Sequence, residues 1–204
     1  MYKVFKRILD IIISLFGLIL LIPIAFLIKI LYISDKDFNS IFFVHERMGK
    51  NGQKFKMLKF RTMIPDAEKE LHKLCKNSNF KKEYELAFKI NNDPRLTKWG
   101  KILRKTSLDE LPQVINILLG QMSLIGPRPI TSKELKKYQN NQKLLLSIKP
   151  GITGYWVVKG HNYTTYEERI NLELYYVKHY SFLLDCKIFF KTIYCVISRK
   201  GQYE

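Results

Sequence analysis

The sequence predicts a mostly helical α/β protein: a compact domain with a β-hairpin, preceded by an N-terminal membrane helix. Three observations carry that expectation. Residues 11–28 form an uncharged apolar run close to the N-terminus. Two stretches rich in β-branched and aromatic residues meet at Asn51-Gly52. Further on, apolar residues recur at helical spacing between turns marked by Gly and Pro. At 204 residues the chain is long enough for one good core plus an appendage.

The apolar run is preceded by Lys3, Lys6 and Arg7 and followed by Lys29. At 1.5 Å per residue it is about 27 Å long, just enough for a hydrocarbon core of roughly 30 Å. A signal peptide has a shorter apolar stretch and a small-residue cleavage site. Tyr32-Ile33-Ser34 follows here, so the segment is expected to stay. A simple spanning helix accounts for this much. Two details favour a helix that bends and returns to the same face. Pro23 removes a hydrogen bond inside the run, and basic residues at both ends give the positive-inside bias no direction. On this expectation 1–34 is a membrane helix broken at Pro23, and 35–204 is the cytoplasmic domain. Asp10, one turn inside, is expected at headgroup depth beside Lys6 or Arg7.

Residues 41–48 and 53–60 read as the two strands of the hairpin, with the turn at Asn51-Gly52. Lys59 and Arg61 fall at its far end. Residues 66–89 are charged at helical spacing without Gly or Pro, which predicts a solvated helix or helix pair. Asn91-Asn92-Asp93-Pro94 reads as a turn, and 111–119 as an apolar helix ending near Gly120. Pro127 and Pro129 stiffen the loop that carries Arg128. Residues 132–147 read as a polar helix, 149–154 as a turn and 155–158 as a short strand before a loop at Gly160-His161-Asn162. Tyr166–His179 and 181–198 read as helices. The last, with Phe182, Leu183, Ile188, Phe190 and Ile197 among Lys187 and Lys191, suits a membrane-surface helix and a core helix alike.

The most informative segment is Thr106-Ser107-Leu108-Asp109-Glu110-Leu111-Pro112-Gln113, with Arg104 and Lys105 just before it. Ser107 and Glu110 fit a capping box, and Pro112 is tolerated only in an opening turn, so a helix should start near 107–109. Exposed N–H groups and the positive dipole end favour anions there, so Asp109 and Glu110 are expected to be ionised and phosphate to be welcome beside them. Adjacent carboxylates among basic side chains suit phosphate chemistry with a divalent cation. A plain capping box uses the same residues.

Composition bounds the partners. A formal charge of +17 and a pI near 9.7 call for anionic ones: nucleic acid, acidic lipid or phosphorylated substrates. Cys75, Cys186 and Cys195 show no paired spacing, as expected on a reducing cytosolic face. Neither they nor His45, His72, His161 and His179 have zinc-ligand spacing.

These residues resemble a known family. Phe5-Lys6-Arg7-Ile8-Leu9-Asp10, Lys59-Phe60-Arg61-Thr62-Met63, the Asp109-Glu110 segment, Met122 to Pro129 with Gly126-Pro127-Arg128-Pro129, Lys149-Pro150-Gly151-Ile152-Thr153-Gly154, Tyr175-Tyr176-Val177 and Leu183-Leu184-Asp185 occur in the order of the bacterial sugar transferases. Those are monotopic polyprenyl-phosphate phosphoglycosyl transferases, which begin lipid-linked glycan synthesis for capsule, O-antigen or exopolysaccharide. The resemblance implies that the N-terminal membrane helix is re-entrant, the domain cytoplasmic and its bordering helices interfacial. It implies transfer of a sugar-1-phosphate from a UDP-sugar to undecaprenyl phosphate, with release of UMP. It implies Asp109 as nucleophile, a covalent phosphosugar intermediate, and Mg²⁺ held by Asp109 and Glu110. Arg104 and Arg128, then Lys59 and Arg61, are the candidates for substrate phosphate. The implied location is the cytoplasmic face of the inner membrane, where the positive charge meets anionic lipid at about 1 kcal/mol per Lys or Arg. The chain departs from the family at Ile22 (often serine), His45 (glutamine), Lys149 (arginine), Glu173 (aspartate) and Tyr180 (tryptophan). No recognition helix, zinc finger or base-stacking signature points to nucleic acid. The competing class is a membrane-anchored basic nucleic-acid-binding or scaffold protein without enzymatic activity. A phosphodiester hydrolase using the same two carboxylates is a nearer rival.

Overall fold

The computed structural model describes residues 2–33, 40–88, 90, 92–160 and 164–198. The expected boundary at 34–35, Asn91 of the predicted turn, and His161 and Asn162 of the predicted loop lie outside the described residues. Helices dominate around two small sheets. The chain opens with helix α1 (Tyr2–Ile33) and the hairpin β1 (Phe42–Met48) and β2 (Lys54–Phe60). Helices α2 (Ala67–Leu74), α3 (Ser78–Ala87), α4 (Lys98–Lys105) and α5 (Gln113–Leu118) follow, then β3 (Ser123–Ile125), α6 (Ser132–Leu135), α7 (Gln142–Leu145) and β4 (Gly151–Thr153). It closes with α8 (Tyr155–Lys159), α9 (Tyr166–His179) and α10 (Phe182–Ser198).

The hairpin forms as its sequence requires. β1 and β2 pair antiparallel from Phe42 opposite Phe60 to Met48 opposite Lys54. Asn51 and Gly52 take φ of 57° and 79°, the left-handed pair that an Asn-Gly turn supplies. The charged stretch is a helix pair, α2 and α3, the second capped by Asn77, which accepts from Asn79 N at 2.9 Å.

Two segments differ from expectation. Residues 132–147 are not one helix: α6 and α7 are separated by a 3₁₀ stretch, Lys136–Asn141, in which Gln139 leaves helical geometry at φ 45° and ψ −122°. Tyr138, in that stretch, is 1% exposed and donates its hydroxyl to Glu173, so a tertiary contact displaces the local helical preference. Residues 155–158 are helical (α8), and the strand lies earlier, as β4, inside the expected turn. β4 pairs parallel with β3, Ser123 beside Gly151 and Ile125 beside Thr153. That partner is remote in sequence, and local propensity does not report it.

α1 is one helix through Pro23 rather than two helices with a break. Asp10, Ser14, Leu21, Ile28 and Tyr32 are buried at steps of four and seven residues, which is one stripe along the helix. Leu21, Ile28 and Tyr32 join Phe60, Leu103 and Val114 in a single core cluster, where each large apolar side chain contributes about 1.5–3 kcal/mol. Polar contacts fix both ends. Tyr2 and Lys6 bond to Asp185, Arg7 reaches the carbonyls of Ile117 (2.6 Å) and Leu118 (2.9 Å), and Tyr32 Oη donates to Arg61 O at 2.5 Å. Asp10 does not pair with Lys6 or Arg7. Its carboxylate accepts from Ser123 Oγ (3.1 Å) and Leu124 N (2.9 Å). The outer flank of α1 leaves Phe16, Ile19, Ile22 and Phe26 exposed, and α10 leaves Leu183, Phe190, Tyr194 and Ile197 exposed while burying Asp185 and Ile188.

Candidate active site

α4 brings the first basic group to the carboxylates. Thr97 caps it, accepting from Gly100 N at 2.9 Å. Gly100 lies against the backbone after β2: a Cβ there would sit 1.9 Å from the Thr62 carbonyl oxygen, which only glycine avoids. This close approach sets Arg104 Nε 3.2 Å from Thr62 Oγ1. After Lys105 the chain turns through Ser107 at φ 56° into a 3₁₀ turn, Leu108–Glu110, and α5 begins only at Gln113 behind Pro112. The expected capping box is therefore not made. An N-cap needs extended backbone, and Ser107 is left-handed with no capping bond.

Asp109 is 7% exposed in this turn. Lys59, from β2, spans both carboxylates, with Nζ 2.6 Å from Glu110 Oε1 and 3.8 Å from Asp109 Oδ2. Burial pushes the Asp109 carboxyl above the usual carboxylate range. Lys59 opposes that, Glu110 adds to it, and Arg104 and Arg128 oppose it. Nearby cations, rather than a helix end, thus favour the ionised form. Lys59→Gln should move the acidic limb of the pH–activity profile to higher pH, because the remaining groups leave burial and Glu110 less opposed. An unshifted limb would remove Lys59 from this role.

Arg128 stands on its Gly126–Pro129 loop at the edge of a second, larger polar cluster. Its backbone N–H donates to Glu173 Oε1 at 3.4 Å, and its guanidinium lies 5.9 Å from the centre of the Trp156 ring. Arg169 stacks on the other residues of this cluster, 4.6 Å from Trp156 and 5.1 Å from Tyr166. It donates to Glu173 at 3.2 Å and lies 3.7 Å from Glu134, which also pairs with Arg47 at 2.9 Å. Arg47 and Glu173 bracket the same carboxylate and guanidinium chain, and the two arginines hold Glu134 well below the usual carboxylate range against the opposing effect of burial. His45, beside Arg47 at 3.4 Å, is pushed down to about 4 by burial and then by Arg47, and so is neutral at pH 7. Sequence reading missed Arg47 and Arg169 as parts of the site. The one local signal was the Arg169–Glu173 spacing of four residues on α9.

Of the candidates named from sequence, the fold brings together Asp109, Glu110 and Lys59, with Arg104 and Arg128 near enough to act on Asp109. Arg61 is placed elsewhere. Its guanidinium donates to Ser40 O (3.0 Å) and Phe42 O (3.3 Å), closing the open end of the hairpin.

A carboxylate pair with one member buried, beside Lys59 and within reach of Arg104 and Arg128, on a domain joined to a long apolar helix, is chemically suited to phosphorylated substrates at a membrane. The family model described as bacterial sugar transferase matches residues 1–199, and the chain belongs to that family. It is 42% identical over 199 residues to the exopolysaccharide production protein ExoY of Sinorhizobium fredii, covering 97% of this chain and 88% of that one. It is 41% identical over 199 residues to the undecaprenyl-phosphate galactose phosphotransferase of Salmonella typhimurium, covering 97% and 41%. It is 36% identical over 208 residues to the UDP-glucose:undecaprenyl-phosphate glucose-1-phosphate transferase of Klebsiella pneumoniae, covering 98% and 42%. The chain thus spans nearly all of ExoY and less than half of the two longer relatives.

Proposed function

We propose that this chain transfers a sugar-1-phosphate from a UDP-sugar to undecaprenyl phosphate and releases UMP, at the cytoplasmic face of the inner membrane. The observation that carries this reading is the buried Asp109 beside a half-buried Glu110, both held by Lys59, in a chain of the sugar transferase family. An Asp109 oxygen attacks the phosphorus that bears the sugar, the bond to the second phosphate breaks, and UMP leaves with that electron pair. An oxygen of the lipid phosphate then attacks the aspartyl phosphosugar, forming a diphosphate and freeing the carboxylate. Lys59 steadies both carboxylates, and Arg104 and Arg128 offset the phosphate charge that a carboxylate nucleophile must approach.

Magnesium suits a site with one or two carboxylates, and Asp109 and Glu110 would hold it here. When bound it would supply further neutralisation of the pyrophosphate. The names of the relatives support the donor and acceptor classes, and neither they nor the family match supports the non-enzymatic nucleic-acid or scaffold reading.

The test is UMP release by detergent-solubilised protein with Mg²⁺, undecaprenyl phosphate and a panel of UDP-sugars. Release that needs the lipid phosphate supports the transferase. Release at the same rate without it makes the protein a hydrolase.

The re-entrant arrangement belongs to the same proposal. Contacts from both ends of α1 to the same domain, through Tyr2, Lys6 and Arg7 at one end and Tyr32 at the other, support this reading. Cysteine-directed labelling of a tag before Tyr2 and of a site after Ile33 should report the same face. Opposite accessibilities would make α1 a spanning helix.

A further inference from the structure

Beyond the carboxylate site, two cations converge at the far end of α5. Gly120 follows α5 at φ +79° and is partly exposed. The point a Cβ would occupy there lies 3.5 Å from Lys149 Nζ and 3.6 Å from Arg7 Nη2. Arg7 is held in place by its bonds to the Ile117 and Leu118 carbonyls. Lys149 makes no hydrogen bond or ion pair among the described residues. Asp10, the acid that acts on it, accepts from Ser123 and Leu124, while Lys50 adds a further positive charge. Arg7, Lys149 and Lys50 act together here with only the Asp10 carboxylate opposing them among the groups that act on Lys149, and a further anion relieves that excess of positive charge.

The surroundings say what kind of anion reaches this place. Leu119, next to Gly120, is 66% exposed, and Val4, Phe5 and Ile8 on the same end of α1 are exposed as well. The cations therefore sit where the apolar outer surface gives way to the polar domain, the depth at which lipid phosphates lie. We propose that Arg7, Lys149 and the space left by Gly120 form a seat for a lipid-borne phosphate, that of an anionic phospholipid headgroup. A phosphodiester offers oxygens to both cationic donors at once, and charge-assisted bonds of this kind are the strong ones. Burial and then Arg7 lower the proton affinity of Lys149, and a bound phosphate beside it would oppose that. The seat would hold the first turns of α1 and the end of α5 at a fixed depth. It rests on α1 lying at the membrane as proposed above, and its test reads binding rather than turnover.

The experiment is thermal unfolding of the full chain in a neutral detergent, with native mass spectrometry of bound lipid. Phosphatidylglycerol should raise the midpoint and appear as one retained lipid. Lys149→Gln, which breaks no existing bond, should fold normally and lose at least half of that shift and most of the adduct, and Lys149→Arg should keep both. A full shift and adduct in Lys149→Gln would overturn the proposal. So would equal protection by millimolar inorganic phosphate with no further effect of lipid, since the seat would then serve a free ion. Displacement of phosphatidylglycerol by equimolar undecaprenyl phosphate would overturn the phospholipid assignment and give the seat to the acceptor. Retention of phosphatidylglycerol in its presence supports a structural lipid.

Discussion

Asp109→Asn should lower UMP formation by about 10⁴-fold or more, the usual scale for loss of a nucleophile, while leaving the protein folded. The substitution keeps the shape of the side chain and removes the attacking oxygen anion. Its effect on stability has the opposite sign. Because burial raises the Asp109 carboxyl, the folded state favours its protonated form, so this group's contribution to stability is present at low pH and lost as pH rises through the raised value. At neutral pH the wild type therefore carries the cost of a buried carboxylate beside Glu110. The asparagine variant does not, and Lys59 still has Glu110 at 2.6 Å. The thermal midpoint of Asp109→Asn at pH 7 should equal or exceed that of the wild type. A variant with substantial turnover would rule out Asp109 as the nucleophile. A strongly lowered midpoint would mean that its carboxylate is structural.

Arg128→Ala should lose about 10²–10³-fold in turnover, the range for removing one preorganised cation or donor from a site that stabilises developing charge. The fold should survive. Backbone bonds anchor the loop, from Gly126 N to Thr153 O and from Gly151 N to Pro127 O at 2.9 Å each and from Arg128 N to Glu173 Oε1 at 3.4 Å, and alanine keeps all three. Arg128→Lys should recover only part of the loss, since an ammonium lacks the planar fork that grips two phosphate oxygens. Wild-type turnover in Arg128→Ala, at unchanged circular dichroism, would return Arg128 to an ordinary surface charge.

Local signals account for much of the architecture. The Asn51-Gly52 pair, the uncharged run ending at Ile28 and the charged stretch before Asn91 each encode their element within a few residues. The hairpin, α1, the α2–α3 pair, α9 and α10 therefore formed where expected. The pairing of Asp109 with Glu110 was equally legible, because the two are adjacent. The reading of their environment was not. Ser107 and Glu110 have capping-box spacing, and nothing local reveals that Ser107 takes left-handed backbone and that the chain drops into a 3₁₀ turn.

What the sequence by itself determined is therefore the set of local elements, the apolar helix and the adjacency of the two carboxylates, all of which depend on neighbours along the chain. What only the tertiary structure decided is which cations meet them. Lys59 reaches the pair from a strand more than forty residues upstream, while Arg61, two residues on, turns to the hairpin end. Arg47 and Arg169 join through Glu134, and Lys149 meets Arg7 at Gly120. Charge interactions act through space and depend on burial, so a side chain's role follows from the surface its backbone faces after packing, and spacing along the chain does not contain that information.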